Sequence, residues 1–326
     1  MNFMADVNIP SPKQLIAYPE KIFLSGSCFT EHIGRKLEEL KFPVLQNPNG
    51  ILFDPLSVCK SIVSYIRNHQ YAPEDLFYSN ELWQSWDHHS QFSGMEKDAV
   101  LATINNSQQK AHGFLKQADW LIITLGSSFS YQLSEDGRSV ANCHREPARL
   151  FNKHLLGIEE IIRALDNCIH QLFHFNEKIK IIFTISPVRH LRDGVIENNR
   201  SKARLIEAVH HMVNKFDRLY YFPAYELVID VLRDYRFYDV DLAHPNYAAT
   251  EFVFDTFEKH FIGDDAQALI QEIRKINIAR KHKPFHPETQ AHKNFLIAHL
   301  KKVIELQEKY ENLDFRDEVK YFMGHT

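Results

Sequence analysis

The sequence predicts an α/β protein built around a mostly parallel sheet. Four short segments are β-rich and nearly continuous in hydrophobicity, as expected of parallel strands covered on both faces: residues 21–24, 120–125, 180–185 and 219–222. Amphipathic stretches with helical spacing separate them, and this alternation predicts right-handed strand–helix–strand crossovers.

The helical segments follow in chain order. Apolar residues recur at helical spacing over residues 30–40, 55–68, 97–117, 157–176, 201–215 and 247–260. After Gly263 the pattern changes to two long, charged helices, predicted over residues 264–281 and 287–311. We therefore expect an α/β domain over residues 1–262 and a C-terminal helical extension over residues 263–326, packed on the sheet domain or on another subunit of a homo-oligomer.

Composition limits the classes of function. The 326 residues carry a net charge of −4, and no basic cluster predicts nucleic-acid binding. No apolar run reaches the roughly 18 residues of a membrane span, and residues 1–20 contain no apolar core of a signal peptide. The four cysteines lack CxxC spacing, which favours free thiols in a reducing cytoplasm.

Candidate chemistry lies where the strands end. Ser27 and Cys28 follow the first predicted strand at a break before a helix, and Gly126-Ser127-Ser128 follows the second. Ligands of such sheets bind outside the carboxyl ends of the strands. The N–H groups at the start of a helix can also support a nucleophile and bind an oxyanion. Asp241 precedes His244 by three residues, a spacing that lets the carboxylate orient the imidazole.

Several motifs resemble those of one family. They are Gly26-Ser27-Cys28-Phe29-Thr30, Asn142-Cys143-His144, Ser186-Pro187-Val188-Arg189-His190, Glu197-Asn198, Ser201-Lys202 and Asp241-Leu242-Ala243-His244-Pro245. Over roughly residues 21–261 the chain resembles the GSCFA family, which is similar to the SGNH/GDSL hydrolases. The resemblance implies a flavodoxin-like, three-layer fold and an esterase-like or acyl-transfer activity.

The resemblance also implies catalytic roles. His244 corresponds to the general base and Asp241 to the carboxylate that orients it. Either Cys28 or Ser27 could be the nucleophile. The register of the motif favours Cys28, whereas the serine nucleophile usual in esterases favours Ser27. A cysteine at a helix N-terminus near a histidine is expected to have a lowered pKa and to react as the thiolate.

Other residues are candidates for the oxyanion hole and for substrate contacts. Gly50 corresponds to the glycine N–H donor, although its tetrapeptide also suits a simple turn. Ser128 stands where the third SGNH block has asparagine, and Asn142 could replace that asparagine from a neighbouring loop. His144, Arg189 and His190 could contact a polar or anionic substrate, or be solvated loop residues.

The leading hypothesis is a hydrolase or acyltransferase acting on a small-molecule or glycan ester, such as an O-acylated carbohydrate. The alternative is a catalytically silent module that binds a glycan or nucleotide in the same cleft. The aromatic segment 77–92 could stack on sugar rings or seal the core edge. The 19 histidines show no spaced ligand set, so we expect neither a metal nor a cofactor.

Overall fold

The computed structural model describes residues 5–324. Its strands are β1 (Ile22–Gly26), β2 (Val44–Gln46), β3 (Leu76–Ser79), β4 (Leu82–Ser85), β5 (Trp120–Leu125), β6 (Phe129–Leu133), β7 (Ser139–Val140), β8 (Phe151–Leu155), β9 (Lys180–Ile185) and β10 (Leu219–Phe222). Its helices are α1 (Cys28–Glu39), α2 (Pro55–Ile66), α3 (Lys97–Gln117), α4 (Ile158–Phe175), α5 (Gly194–Lys215), α6 (Ala224–Glu226), α7 (Tyr247–Phe261), α8 (Asp264–Lys281), α9 (Gln290–Lys309) and α10 (Arg316–Gly324).

The central sheet has five parallel strands in the order β10-β9-β5-β1-β2. Counted along the chain, this is the 2-1-3-4-5 order of flavodoxin-like folds, and the strand order reverses between β1 and β5. The prediction of a mostly parallel α/β sheet is therefore confirmed. The reversal point is where such sheets bind ligands, and it lies beside Ser27 and Cys28.

Helices cover both faces of the sheet, so the strands are buried on both sides. Alternate residues of β1 point to opposite faces, with Leu24 in one hydrophobic core and Phe23 in the other. Helices α1, α7, α8, α9 and α10 contribute to the first core, and α2, α3, α4 and α5 to the second. The fold is thus three-layered, as the resemblance implied.

Two small antiparallel sheets were not predicted. Strands β3 and β4 form a hairpin, and β6 pairs with β7 on one side and β8 on the other. The aromatic segment 77–92 lies around the hairpin, and there the Phe77 and Trp86 rings stack at 3.7 Å between centroids. Because the two rings cover each other's faces, the stacking supports the interpretation that this segment seals the edge of the core.

The C-terminal region is helical, as predicted, but it contains one more helix than expected. Helix α8 has the predicted bounds, α9 is shorter than predicted, and α10 was missed. Glu318 of α10 is 2 % exposed and forms ion pairs with Lys41 and Arg280. Within residues 5–324, no helix combines the length and apolar character needed to cross a bilayer.

Candidate active site

A sharp turn at the end of β1 brings the two candidate nucleophiles, Ser27 and Cys28, to the edge of the sheet. We name this turn, residues 26–28, the nucleophile corner. Gly26 has a φ of +147°, and a Cβ there would lie 2.2 Å from the Thr124 carbonyl oxygen. The Gly26 N–H donates to Asn47 Oδ1 at 2.9 Å, and the Ser27 N–H donates to the Thr124 carbonyl at 3.0 Å. Only glycine allows this close approach between β1 and β5 without strain.

The two candidate nucleophiles differ in access. Ser27 is the N-cap residue of α1 and is 3 % exposed. Its Oγ is buried and has no hydrogen-bond partner. Cys28 is the first residue of the helix and is only partly buried, as a free thiol. The Cys28 side chain is thus only partly shielded from solvent, whereas the hydroxyl of Ser27 is buried.

The thiol of Cys28 is not a resting thiolate. Burial raises the pKa of the Cys28 thiol, and the nearby Glu31 carboxylate raises it further. The backbone N–H groups of Phe29 and Cys28 and the ammonium of Lys202 act in the opposite direction, but with a smaller effect. The expectation of a lowered pKa is therefore wrong, because desolvation of the charged form outweighs the helix N-terminus.

Lys202 lies fully buried beneath this edge of the sheet. Its Nζ donates to the Gly126 carbonyl and to the Ser186 carbonyl, each at 2.6 Å. These carbonyls directly follow β5 and β9, so the lysine joins the ends of two strands. Burial lowers the pKa of Lys202 to about 7, and the field of Cys28 partly opposes this shift.

Asp241 and His244 form the expected pair. Asp241 Oδ2 lies 2.6 Å from His244 Nδ1, and Oδ1 accepts the backbone N–H groups of Ala243 at 2.9 Å and His244 at 3.0 Å. Hydrogen bonds from His244 and Ala243 lower the pKa of the exposed Asp241 carboxyl to about 2. The carboxylate is thus ionised and fixes Nδ1 as the protonated nitrogen, which leaves Nε2 free to accept a proton.

Arg189 holds the loop that carries this pair. Its backbone N–H donates to the Ala243 carbonyl at 3.1 Å, and its Nη1 donates to the Leu242 carbonyl at 3.5 Å. The guanidinium lies over the Tyr238 ring at 4.3 Å from the centroid. In this structure Arg189 therefore contacts protein groups, and its predicted contact with substrate stays a prediction.

His190 lies beside Gly126, at the end of β5. Burial lowers the pKa of His190 to about 4; the fields of Lys202 and His244 also lower it, and a hydrogen bond to the Gly126 backbone opposes the shift. His32, one helical turn beyond Cys28, is likewise within the field of His244. The loop that carries His244 is hydrogen-bonded to Arg189, the residue before His190. Among the described residues, no hydrogen bond joins His244 Nε2 to the Cys28 thiol.

The predicted oxyanion donors are engaged elsewhere in this structure. The N–H of Gly50 donates to the Asn47 carbonyl at 2.7 Å. Ser128 is fully buried, with its N–H donating to Ser201 Oγ at 2.7 Å and its hydroxyl to the Ser201 carbonyl at 3.1 Å. Both residues fix the shape of the corner, and their roles in an oxyanion hole remain predictions.

Asn142 and His144 lie in a loop next to the site. Asn142 Oδ1 accepts the His144 N–H at 2.8 Å. The His144 ring is buried, with Nε2 2.8 Å from the Ser85 carbonyl and Nδ1 3.2 Å from Ser90 Oγ. His144 therefore anchors the aromatic segment. Among the described residues, no three His, Cys, Asp or Glu side chains group as metal ligands.

Family models match the sequence in two places. The GSCFA family matches residues 21–257, and the GSCFA domain protein, C-terminal domain, matches residues 273–323. The chain belongs to the GSCFA family. The Gly-Ser-Cys-Phe segment that spells most of the family name is the nucleophile corner itself.

Two solved structures resemble this GSCFA protein at low identity. One is a carbohydrate esterase family 3 protein from Talaromyces cellulolyticus, with 10 % identity and a TM-score of 0.37, covering 78 % of this chain and 99 % of that one. The other is the acetyl xylan esterase Est2A from the rumen bacterium Butyrivibrio proteoclasticus, with 12 % identity and a TM-score of 0.38, covering 76 % of this chain and 66 % of that one. Likeness at this level carries no information about substrate. No curated protein matches the sequence significantly.

Sequence reasoning assigned no role to Lys202, although a signal was present. Residues 198, 201, 202, 205, 209 and 212 recur at helical spacing, and all of them lie on the buried face of α5. A lysine on an apolar face is rarely buried without a functional or pairing reason. Phe53 was also missed, because no pattern connects it with the end of β5, where its carbonyl accepts the N–H groups of Gly126 and Ser127.

Proposed function

We propose that this GSCFA protein is a cysteine-dependent ester hydrolase or acyltransferase. Cys28 is the nucleophile, His244 is the general base and acid, and Asp241 orients His244. The observation that carries the proposal is the partly exposed Cys28 at the reversal point of the sheet, with the Asp241–His244 pair on a loop that is hydrogen-bonded to Arg189, beyond the end of β9. The sealed hydroxyl of Ser27 favours Cys28 over Ser27 as nucleophile.

The reaction proceeds in two balanced steps. In the first, Cys28 Sγ attacks the ester carbonyl while His244 Nε2 takes the thiol proton. The tetrahedral intermediate then collapses, the carbon–oxygen bond breaks, and the leaving alkoxide receives that proton as a thioester remains. In the second step, His244 deprotonates water or an acceptor alcohol, which attacks the thioester. The carbon–sulfur bond then breaks, the acid or a new ester leaves, and His244 returns its proton to the Cys28 thiolate.

The raised pKa of the Cys28 thiol makes the base essential. At neutral pH the thiol is protonated, so the nucleophile must be generated as the substrate is attacked. Among the described residues, Nε2 and the thiol are not hydrogen-bonded, so proton transfer requires them to come closer when substrate binds. Such hydrogen bonds are often looser in free enzymes than in substrate complexes.

Site-directed labelling tests the proposal. We expect a chloroacetamide or iodoacetamide probe to label Cys28, and a fluorophosphonate probe to leave Ser27 unlabelled. The matched control is Cys143, the other partly buried free thiol, whose pKa burial raises to about 11. Cys143→Ser should retain the labelled Cys28 peptide, whereas Cys28→Ser should lose both that label and esterase activity with an aryl acetate. Full activity in Cys28→Ser would rule out the proposed nucleophile.

A binding module without chemistry is the second candidate. The raised pKa of the thiol and the missing hydrogen bond between Cys28 and His244 favour it. Such a module would bind a ligand at the same edge of the sheet and would resist both probes. Turnover of an aryl acetate that depends on Cys28 and His244 would eliminate it.

A further inference from the structure

A cleft of about 660 Å³ lies beside the nucleophile corner. It is walled by the small β6-β7-β8 sheet, by the loop after β7, and by the short turn that follows His190. Its charged residues are Arg145, Glu146, Lys153, Arg192 and Asp193, and its rings are Phe53, Tyr131, His144 and Phe151.

Phe53 connects this cleft with the nucleophile corner. A Cβ on Gly126 would lie 3.0 Å from Phe53 Cβ, 3.3 Å from His190 Nε2 and 3.3 Å from Ser27 Cβ. The Phe53 and His190 rings also meet at 5.6 Å between centroids. One side of Phe53 therefore faces the nucleophile corner while the residue also lines the cleft, so the cleft adjoins the turn that carries Ser27 and Cys28.

The two acids of the cleft already have partners. Glu146 accepts hydrogen bonds from Ser79 Oγ and from Asn80 Nδ2, the second at 3.0 Å. Asp193 is ion-paired with Lys153. Neither carboxylate is free to bind a cationic ligand without breaking these contacts.

The two arginines of the cleft, in contrast, are unpaired. Among the described residues, neither Arg145 nor Arg192 has a carboxylate within ion-pair distance or a hydrogen bond from its guanidinium. Arg192 exerts its field on Cys143 and Tyr131, so its charge is directed to the lining of the cleft. Three cations and two anions line the cleft, which leaves a single positive charge for a ligand to neutralise.

The apolar walls suit a ring. The Tyr131 and Phe151 rings meet edge to face, with their centroids 6.4 Å apart and their planes at 89°. Lys153 Nζ lies 5.9 Å from the centroid of the Tyr131 ring and is held by Asp193. Aromatic faces beside fixed polar groups are the usual lining of a site that orients a cyclic ligand.

We propose that this cleft binds the alcohol part of the ester and selects one with a ring and a single carboxylate, which pairs with Arg192 and Arg145. The proposal rests on the proposed function, because it assigns the cleft to the substrate of Cys28. A carboxylate fits better than a phosphate dianion, since the cleft offers one net positive charge. Guanidinium groups bind carboxylates through two parallel hydrogen bonds.

Two esters that differ only in charge test this selection. We expect wild-type kcat/KM to be on the order of tenfold higher for 4-acetoxybenzoate than for 4-acetoxybenzamide. Arg192→Gln should reduce this ratio on the order of tenfold, mainly through a higher KM for the charged ester. The preference should also weaken as salt concentration rises.

Arg138→Gln is the matched control, because it removes the same charge from an exposed turn outside the cleft. It should retain the wild-type ratio. An equal ratio in wild type and Arg192→Gln, or the same loss in Arg138→Gln, would overturn the proposal.

Binding separates this proposal from the failure of the proposed function. If neither ester is turned over, the proposed function fails. The cleft can still be tested by isothermal titration calorimetry, in which the binding of 4-hydroxybenzoate to the protein is compared with the binding of 4-hydroxybenzamide. Tighter binding of the benzoate that is lost in Arg192→Gln supports an anion site. Equal binding of the two ligands, or tighter binding of phenyl phosphate than of benzoate, contradicts the assignment to a carboxylate.

Discussion

Buried polar and charged groups have different partners in the C-terminal helices and at the carboxyl edge of the sheet. In the helical region, the nearly inaccessible Glu318 is ion-paired with Lys41 and Arg280. At the edge of the sheet, the buried Lys202 donates hydrogen bonds to two carbonyls and, within residues 5–324, has no carboxylate partner. The buried hydroxyl of Ser27 has no hydrogen-bond partner among the same residues.

This difference separates groups that stabilise the fold from groups whose burial lowers its stability. A buried ion pair stabilises only when both charges are satisfied, and its removal is felt in the free energy of unfolding. An unpaired buried ammonium or hydroxyl costs stability and is retained where it does something else. Mutations in the C-terminal helices should therefore lower stability. At the edge of the sheet, loss of the Asp241–His244 pair should lower activity, whereas loss of Lys202 or Ser27 removes a buried polar group that costs stability.

The largest expected effect is on turnover, at the Asp241–His244 pair. His244→Ala should lower kcat by a factor on the order of 10²–10⁴, because the proton of the thiol loses its acceptor. His244 is exposed, so the thermal midpoint should stay close to wild type. His154, an equally exposed histidine paired with Glu160, provides the control, and His154→Ala should keep wild-type kcat. Similar losses of kcat in His244→Ala and His154→Ala would contradict a specific role for His244 in turnover.

The second effect is on stability alone. Glu318→Ala should lower the free energy of unfolding by about 2–3 kcal/mol, because it leaves two cations without their buried partner. Urea denaturation measures the loss, and kcat should stay within about twofold of wild type. Glu272 also pairs with two lysines but is 33 % exposed, so Glu272→Ala should cost less than about 1 kcal/mol. Equal losses would show that burial does not set the cost.

The third effect is the pH dependence of stability from Lys202. Its pKa is about 7 in the folded protein and 10.5 when unfolded, so the unfolded chain binds more protons between these values. The free energy of unfolding of wild type, relative to Lys202→Met, should therefore rise with pH from about 7 to 10, with a limiting slope of about 1.4 kcal/mol per pH unit. Denaturation at several pH values measures it. A flat difference would mean that Lys202 is not desolvated.

The smallest effect belongs to Ser27. Its Oγ has neither a partner nor access to solvent, so Ser27→Ala removes an unsatisfied hydroxyl. We expect the free energy of unfolding to be unchanged or higher by up to about 1 kcal/mol, and kcat to remain within about threefold of wild type. Steady-state kinetics and urea denaturation report both quantities. A loss of kcat comparable to that of Cys28→Ser would indicate that Ser27 is the nucleophile.

The central strands could be predicted because their burial on both faces appears directly as continuous apolar sequence. The segments 120–125, 180–185 and 219–222 coincide with β5, β9 and β10. The antiparallel strands were missed because they are short and half-buried, so polar and aromatic residues mix without a clear period. Helix α10 was missed for its brevity and its charged first turn.

The local geometry of the site was predictable only where it depends on neighbouring residues. The spacing of Asp241 and His244 anticipated their hydrogen bond, since both lie in one turn of chain. The pKa of Cys28 was predicted with the wrong sign, because burial depends on packing from distant segments. For the same reason, the contacts of Lys202 with the ends of two strands could not be read from the sequence.

Trapping the acyl intermediate tests the central claim most directly. Cysteine catalysis through Cys28 predicts that acid quenching during turnover of 4-nitrophenyl acetate leaves one acetyl group on the protein, which peptide mass spectrometry places on Cys28. The trapped thioester should be cleaved by hydroxylamine at neutral pH, and it should be absent from Cys28→Ser. An acetyl group found on Ser27, or turnover with no acetyl group on either residue, would contradict the account.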